Sequence, residues 1–381
     1  MRSITGQLIS EIAAVVGSQA VAKAEPFRVT TFRDLMQLVA RLSYANKDHL
    51  LFFRGQSTDY KNKAQASSFY PSIYRGERLS QDELNLRFDI LDSASKRLCD
   101  AFRQNKIEGA SEVERRKLIQ WSILQHYEVC STPLLDFTHS VRVASSFAFL
   151  NEPGEDPYMF VFGLPYLTNR ISVNSEHDLV NVRLLSICPP DALRPYYQQG
   201  YLAGTDEITN QYSSKNELDF NNRLIAKFQI SRSDDFWSNG FAAIPKAALS
   251  PDNDRIFDLC REIREEVTKG PQATELGTFL LAWANLESKI LNLARRRSER
   301  IFSLAEALRI LRRYETVSLR LSNQIDELRR IRNRAIHRPT KVLSGQLVAA
   351  KNDVDNIVKQ LRSFNLTESE GRSDMWDKVL E

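Results

Sequence analysis

The sequence lacks any long apolar run, and no stretch approaches the roughly 18–20 residues that a transmembrane helix requires. Its 14 glycines and 13 prolines are few for 381 residues, and no internal repeat or low-complexity tract is present. The composition is 42% hydrophobic and 26% charged, so enough apolar surface is available to offset the entropy lost on folding. These features exclude a membrane-spanning or wholly disordered chain, and the length favours two domains.

Cysteine is also scarce. The four cysteines, at positions 99, 130, 188 and 260, lie far apart and form no C-x-x-C pair. A zinc site needs closely spaced ligands, and a disulfide framework is typical of small secreted chains, so we expect free thiols and no metal site. Residues 1–26 carry Glu11 inside an apolar stretch, which is untypical of a signal peptide and indicates a short amphipathic helix. We therefore expect a cytoplasmic protein without membrane association.

The charge is unevenly distributed. The net charge is +4, yet residues 271–366 hold nine more basic than acidic side chains, so the remainder is mildly acidic. A basic region of this kind favours contact with a polyanion such as RNA. A solvated helical face is the alternative explanation, because arginine is a good helix former.

Apolar periodicity predicts the elements. FRDLMQLVARL after Thr31 has helical spacing, as do residues 81–117 and 117–125, whereas HLLFFRGQ indicates a buried strand that ends at Arg54-Gly55-Gln56. Three short apolar runs between residues 157 and 230, YMFVFGLP, NVRLLSICPP and LIAKFQI, also predict strands. From about residue 252 onward, apolar spacings of three and four repeat, as in a helical bundle.

These patterns predict a multidomain fold class, in which a mixed α+β domain is followed by an all-α helical bundle. We expect an N-terminal helical extension at 1–26, the α+β domain at 27–240, a helical linker at 241–271, the bundle at 272–366 and a polar tail at 367–381. The Gly270-Pro271 pair supports a break just before the bundle.

Several motifs of the α+β region occur together. FFRGQS starts at Phe52, FYPSIYRG follows it, and QHYEVCSTPLLDFTHSVRVASSFAF starts at Gln125. This combination resembles the FRG domain family, which pairs its Phe/Tyr-Arg-Gly strand with QHYG-type and LLDWT-type segments and an Ala/Phe-rich helix. The segment ALRPYYQQGYL, from Ala192, resembles a later element of the family, and the resemblance runs from about residue 27 to 230. Glu128 stands where the family usually has glycine.

The same motifs contain a possible polar site. An arginine at a strand end can hold a phosphate or carboxylate with two hydrogen bonds, while His126 and Asp136 add a titratable group and an anion. The candidate ligand-binding residues are Arg54, Gln56, His126, Tyr127, Asp136 and Gln199. Three interpretations stay open: a buried Arg54–Asp136 ion pair with a purely structural role, a ligand-sensing pocket, and catalysis like that of ADP-ribosyltransferases, for which no convincing catalytic glutamate motif is present.

The segment LRRIRNRAIHRP, residues 328–339, carries the most informative motif of the helical region. It contains Arg332-Asn333, three further residues and then His337, which resembles the signature of the HEPN superfamily. LLAWANLESKI resembles the family's first helix, and the resemblance covers roughly residues 273–364. It implies a homodimer that joins two motifs in one cleft. Glu287 either faces that cleft or makes a contact one helical turn away.

The residue types of this motif suit RNA cleavage. Histidine transfers protons near neutral pH, and a fixed guanidinium stabilises the charge that develops on phosphorus. RNA supplies its own 2′-hydroxyl nucleophile, so no metal or cofactor is needed. The predicted catalytic residues are Arg332, Asn333 and His337, with Asn333 placed to orient the imidazole. The predicted RNA-binding residues are Arg312, Arg313, Arg329, Arg330, Arg334 and Arg338.

The leading hypothesis is a metal-independent HEPN endoribonuclease whose FRG domain senses a small-molecule or protein trigger, as in toxin or anti-phage defence systems. Two alternatives differ in class. In one, the FRG domain is a dinucleotide-binding, ADP-ribosyltransferase-like enzyme and the helical domain serves for dimerisation or RNA docking. In the other, the protein is a non-catalytic nucleic-acid-binding adapter or antitoxin. All three rest largely on analogy between folds.

Overall fold

The computed structural model describes residues 1–376 apart from 77–78, 151–155, 213, 239, 271, 298–300, 302, 338 and 340–341. The chain divides into two compact units, residues 1–264 and 265–381. The first unit mixes helices with strands, and the second is largely helical. In the described part of the chain, no helix combines the length and apolarity needed to cross a membrane.

The first unit is built on one eight-stranded sheet. Its strands are β1 (Phe27–Val29), β2 (Leu50–Gln56), β3 (Leu135–Thr138), β4 (Tyr158–Leu164), β5 (Ile171–Asn174), β6 (Leu179–Arg183), β7 (Gly200–Gly204) and β8 (Leu224–Ile230). They lie in the order β1-β8-β4-β2-β3-β7-β6-β5. The β1–β8 pair is parallel, and all other neighbours are antiparallel.

Helices surround this sheet and form the second unit. Those of the first unit are α1 (Ser10–Val16), α2 (Phe32–Ala45), α3 (Gln81–Gln104), α4 (Ala110–Arg115), α5 (Lys117–His126), α6 (Val141–Ala148), α7 (Arg194–Gln198) and α8 (Lys246–Leu249). Helix α9 (Arg255–Thr268) crosses the division between the units. The second unit holds α10 (Ala273–Arg295), α11 (Leu304–Arg313), α12 (Leu319–His337) and α13 (Ser344–Trp376).

Most of the elements expected from periodicity are confirmed. Helix α2 begins after Thr31, whose hydroxyl accepts a hydrogen bond from the Asp34 N–H at 3.1 Å and caps the helix. Strands β2, β4 and β8 and helix α5 lie where the sequence predicts them, and α1 forms within the N-terminal segment. The mixed α+β fold followed by a helical region is also confirmed.

Two element predictions are wrong in part. The single helix predicted over 81–117 is interrupted between α3 and α4, where Lys106 and Gly109 have positive φ angles of 52° and 83° that no α-helix accommodates. In the run NVRLLSICPP the strand ends at Arg183, and a 3₁₀ turn follows at Leu184–Ser186. The short strands β1, β3, β5 and β7 were not predicted.

Apolar side chains cover both faces of the sheet. One face packs against α1, α2 and α6, with Leu35, Phe53, Val161 and Phe228 in its core. The opposite face carries a cluster rich in phenylalanine, formed by Phe52, Phe69, Phe137, Phe160, Phe162 and Phe220. Because both faces are buried, β2, β4 and β8 are almost continuously apolar instead of alternating.

The core of the second unit is a separate apolar cluster. Helix α10 contributes Phe279, Trp283, Leu286 and Ile290, which share one face at helical spacing and are almost fully buried. Apolar residues from α11, α12 and α13 complete the cluster, so the four helices pack as a bundle.

Gly55, the glycine of the FRG motif, lets α6 approach β2 closely. A Cβ atom at this position would lie 1.8 Å from the carbonyl oxygen of Ala144 and 2.9 Å from the amide nitrogen of Ala148, both on α6. The first distance is well inside van der Waals contact, and a helix backbone cannot yield as a flexible side chain would. Glycine is therefore required here because of packing.

We expect Gly55→Ala to destabilise the first unit by about 3 kcal/mol or more, because the helix must move away from the sheet. The matched control is Gly277→Ala on α10, where an added Cβ would meet no atom within 4 Å. That change should be neutral or stabilise its helix by up to about 1 kcal/mol. Scanning calorimetry of the full chain measures both effects. Equal melting profiles for the two variants would contradict this account of Gly55.

Candidate functional site

The candidate site of the first unit lies where β2 and β3 separate. Strand β2 pairs with β4 over all seven of its residues, but with β3 only at Phe53 and Thr138. Beyond that pair, the Arg54 guanidinium fills the gap and its Nη1 donates a hydrogen bond to the Asp136 carbonyl oxygen at 2.7 Å. The side chain thus takes the place of a main-chain hydrogen bond between β2 and β3, and it borders the cleft between the two strands.

Two cavities meet at this cleft. The larger has a volume of about 990 Å³ and the smaller about 220 Å³. Both are lined by Arg54, Gly55, Glu128 and Phe147. The larger extends past Gln56 towards residues 60–76 and Lys215, and the smaller extends towards His126, Asp136 and Gln198. The volume of the larger cavity is in the range of small-molecule binding sites, and that of the smaller lies below it.

The Asp136 side chain, which lines the smaller cavity, is held by two neighbours. Gln125 Nε2 donates a hydrogen bond to its Oδ2 at 2.7 Å, and His126 Nδ1 lies 3.6 Å from its Oδ1. The Gln125 amide is itself fixed, because its Oε1 accepts hydrogen bonds from the hydroxyls of Thr132 and Ser72. His126 is buried, and its Nε2 has no hydrogen-bond partner in the described part of the chain.

The charges in this cleft perturb one another. Burial by itself raises the pKa of the Asp136 carboxyl, but His126, Arg54 and the Gln125 hydrogen bond outweigh burial, so the net pKa lies below its ordinary value. Burial lowers the pKa of Arg54 to about 10, and the charge of Arg75 adds to this shift while Asp136 opposes it. Asp136 is therefore an anion at neutral pH, held between cations and hydrogen-bond donors.

Glu128 occupies the wall shared by the two cavities in a strained conformation. Its φ angle is 56°, in the left-handed region that glycine adopts easily and that costs other residues about 1 kcal/mol or more. This geometry accounts for the glycine that is usual at the position, and here Glu128 lines both cavities, as Arg54 does. Strained residues of this kind cluster at functional sites.

Four of the six predicted ligand-binding residues line the cleft: Arg54, Gln56, His126 and Asp136. Tyr127 and Gln199 do not line either cavity. Gln199 ends α7 with a positive φ angle of 45°, whereas its neighbour Gln198 lines the smaller cavity. The Arg54–Asp136 contact also differs from a side-chain ion pair, because the guanidinium bonds to the main-chain carbonyl.

Tyr127 points instead into the core, towards the buried carboxylate of Asp254. Its hydroxyl donates to Asp254 Oδ2 at 2.7 Å, which also accepts from the main-chain N–H groups of Leu193 and Arg194. The other oxygen, Oδ1, accepts from the N–H groups of residues 256 and 257 and caps α9. One carboxylate therefore ties the end of α5 to the starts of α7 and α9.

Sequence reasoning missed several cations of the site. Arg75 belongs to the FYPSIYRG segment and lines the larger cavity, so its place in that motif was an available signal. Arg194 lines the smaller cavity with its guanidinium 4.3 Å from the centre of the Phe257 ring. Lys61, Lys63 and Lys215 also line the larger cavity, but no local pattern marks them.

The second unit holds the Arg332 motif on α12. Arg332 Nη2 lies 3.5 Å from Glu287 Oε2 on α10, and its guanidinium lies 5.6 Å from the centre of the Trp283 ring. Trp283 Nε1 donates to the same Glu287 oxygen at 3.0 Å. Glu287 therefore contacts Trp283, one turn away on its own helix, and also pairs with the motif arginine, Arg332. Arg332 keeps 25% of its side chain exposed, so it remains accessible to a ligand.

The other two motif residues lie on the surface. Asn333 is exposed, and its Oδ1 accepts a hydrogen bond from Arg332 Nη1 at 2.9 Å. His337 is exposed at the last residue of α12. Within the described residues, no hydrogen bond joins Asn333 to His337, and Asn333 contacts the guanidinium instead.

The predicted RNA-binding arginines differ in their surroundings. Arg312 and Arg313 are exposed at the end of α11, and Arg330 is exposed on α12. Arg329 lies 3.1 Å from Asp326 in an ion pair, and Arg334 is half-buried. Arg338 lies outside the described residues. The exposed members therefore leave a positive surface on α11 and α12.

Comparison with known proteins identifies part of the first unit. The FRG domain model matches residues 49–156, which hold β2, β3 and α3 to α6. No curated protein and no solved structure matches the chain. The match covers less than the 27–230 range of the sequence resemblance, and the comparisons provide no evidence for a HEPN domain in the C-terminal half. Residues 49–156, which carry Arg54, His126 and Asp136, are therefore an FRG domain.

Proposed function

We propose that this protein is a metal-independent endoribonuclease of the HEPN type, and that its FRG domain binds a ligand or partner that controls cleavage. The observation that carries the proposal is the anchoring of Arg332 by Glu287 and Trp283, with His337 exposed five residues later on the same helix. A guanidinium that is held in place but still accessible is suited to bind a phosphodiester.

The chemistry requires two proton transfers. The 2′-hydroxyl of RNA attacks the adjacent phosphorus, a base removes the hydroxyl proton, and an acid protonates the departing 5′-oxygen, which leaves a 2′,3′-cyclic phosphate. His337 can serve as one of these groups, and Arg332 stabilises the negative charge on the phosphoryl oxygens. Asn333, bonded to Arg332, is a positioning residue for the guanidinium.

One motif supplies a single histidine, whereas the reaction uses a base and an acid at the same time. A homodimer that brings two motifs together would supply both His337 side chains and two Arg332 side chains. The exposed arginines of α11 and α12 would bind the flanking phosphates, with an affinity that falls as salt rises.

Purified protein with excess chelator should cleave total RNA to products with 2′,3′-cyclic phosphate ends. Arg332→Ala and His337→Ala should each reduce the rate about 100-fold or more. The matched control is Lys351→Ala, which removes a partly exposed charge from α13 and should change the rate less than about threefold. Cleavage by wild type that both motif variants retain would contradict the assignment.

Glu287→Gln should separate positioning of Arg332 from folding. The amide still accepts the Trp283 hydrogen bond but no longer offers the guanidinium a counter-charge, so we expect kcat to fall about tenfold with little change in melting temperature. Glu327→Gln, an exposed glutamate on α12, is the control. An unchanged kcat in Glu287→Gln would show that the Glu287–Arg332 contact has no part in cleavage.

A second candidate function places the chemistry in the FRG domain, as an ADP-ribosyltransferase-like enzyme. The observation that favours it is the presence of Arg54 and the Glu128 carboxylate in the wall shared by both cavities. Against it, the sequence contains no convincing catalytic glutamate motif.

Nicotinamide release from a nicotinamide dinucleotide distinguishes the two functions. If RNA cleavage is the activity, the full chain should release no more nicotinamide than its Arg54→Ala variant. Release that disappears in both Arg54→Ala and Glu128→Gln, in variants that remain folded by circular dichroism, would establish the transferase instead.

A further inference from the structure

The lining of the larger cavity carries a strong excess of positive charge. Its described lining residues include five cations, Arg54, Lys61, Lys63, Arg75 and Lys215, and a single carboxylate, that of Glu128. These residues come from β2, the loop after it, the FYPSIYRG segment and residue 215, which are far apart in sequence but meet at one cavity. Such an arrangement attracts a ligand with several negative charges.

Three of the cations bind neutral oxygen atoms in place of carboxylates. Arg54 donates to the Asp136 carbonyl, Arg75 Nε donates to the Tyr70 carbonyl at 2.9 Å, and Lys215 Nζ donates to the Gly76 carbonyl at 2.5 Å. Within the described residues, none of these three side chains forms an ion pair. Their charges are therefore oriented by hydrogen bonds without a direct ion pair, and the carboxylates of Asp136 and Asp219 offset them only in part.

Holding these charges together has an energetic cost. Burial lowers the pKa of Arg54, with a further contribution from Arg75, and burial lowers the pKa of Lys215, with a further contribution from Arg87. Nearby carboxylates oppose these shifts only in part. A bound polyanion would replace the lost solvation and remove the mutual repulsion, so it should stabilise the folded protein.

The loop that carries Tyr60, Lys61 and Lys63 is fixed in place. Lys227 and Asp59 form an ion pair at 3.2 Å in which both side chains are almost fully buried, with 2% and 6% exposed. The Asn62 side chain accepts hydrogen bonds from the N–H groups of residues 64 and 66 and shapes the turn. A surface that is already ordered loses little entropy when it binds.

Aromatic rings lie among the cations. Tyr60 is 58% exposed and lines the cavity, and Lys215 Nζ lies 4.7 Å from the centre of the Tyr70 ring. An exposed ring beside a cluster of cations offers a planar base a surface for stacking while the cations hold its phosphates.

We propose that the larger cavity of the FRG domain binds a free nucleoside polyphosphate, with Arg54, Arg75 and Lys215 on the phosphates and Tyr60 on the base. As the regulator of RNA cleavage this ligand rests on the proposed function, but ATP binding is measured without RNA, so either idea can fail without the other. A phosphorylated end of an RNA strand would present the same chemistry and is the source to be separated from a free nucleotide.

Isothermal titration calorimetry of the full chain tests this inference, with excess chelator and about 150 mM salt to screen surface charge. The probes are ATP, inorganic triphosphate, adenosine and a 5′-triphosphorylated oligoribonucleotide. The variants are Arg75→Gln, Lys215→Gln and Tyr60→Ala, and the control Lys96→Gln removes a charge from α3, outside the cavity. Because Arg75 and Tyr60 are exposed, their variants should fold. If Lys215→Gln does not fold, Lys61→Gln replaces it in the titration.

We expect ATP to bind about tenfold or more tightly than triphosphate or adenosine. Arg75→Gln and Lys215→Gln should each weaken ATP binding about tenfold. Tyr60→Ala should weaken the binding of ATP but not that of triphosphate. Glu128→Gln removes the single described carboxylate of the lining without changing the backbone, so it should tighten ATP binding several-fold. A residue with a merely structural role would not produce that gain.

Absence of ATP binding at millimolar concentration would overturn the inference, as would ATP binding that Arg75→Gln and Lys215→Gln leave unchanged. Equal or tighter binding of the oligoribonucleotide, with the same sensitivity to these variants, would overturn the free nucleotide and make an RNA end the ligand.

Discussion

The cleft of the FRG domain depends on the separation of β2 from β3 after a single residue pair. On its other side β2 stays paired with β4 along its whole length, so the strand itself is held rigidly while one edge is open. Arg54 satisfies the carbonyl that this opening exposes, and the same bond fixes its guanidinium between the two cavities. Arg54 therefore does two things: it satisfies a main-chain group of the sheet, and it places a positive charge at the site.

Much of the fold follows from the sequence where the signals are local. A capping threonine and periodic apolar residues define α2, and continuous apolar runs define β2, β4 and β8. The short strands β3, β5 and β7 have four or five residues and depend on pairing with distant partners, which no local pattern reveals. The break between α3 and α4 depends on backbone angles at Lys106 and Gly109, of which only the glycine leaves a trace in the sequence.

The candidate sites show the same difference between local signals and contacts of distant residues. Residues within motifs, such as Arg54, His126 and Asp136, could be identified in advance, but the direction of Tyr127 into the core depends on Asp254, 127 residues later. The cations of the larger cavity were missed because they meet only after folding. In the second unit, spacing identifies Arg332 and His337, whereas the partner that holds Arg332 lies 45 residues earlier on another helix.

The contact between Gly55 and α6 affects how membership of this family should be understood. The glycine of the Phe-Arg-Gly motif is required because a helix backbone lies against it, and the usual glycine of the QHYG-type segment matches a left-handed backbone angle at position 128. Both are constraints of shape, and neither specifies a chemical reaction. A match to these motifs therefore indicates the shape of the backbone around the cleft, whereas the ligand and the activity depend on the residues that line it.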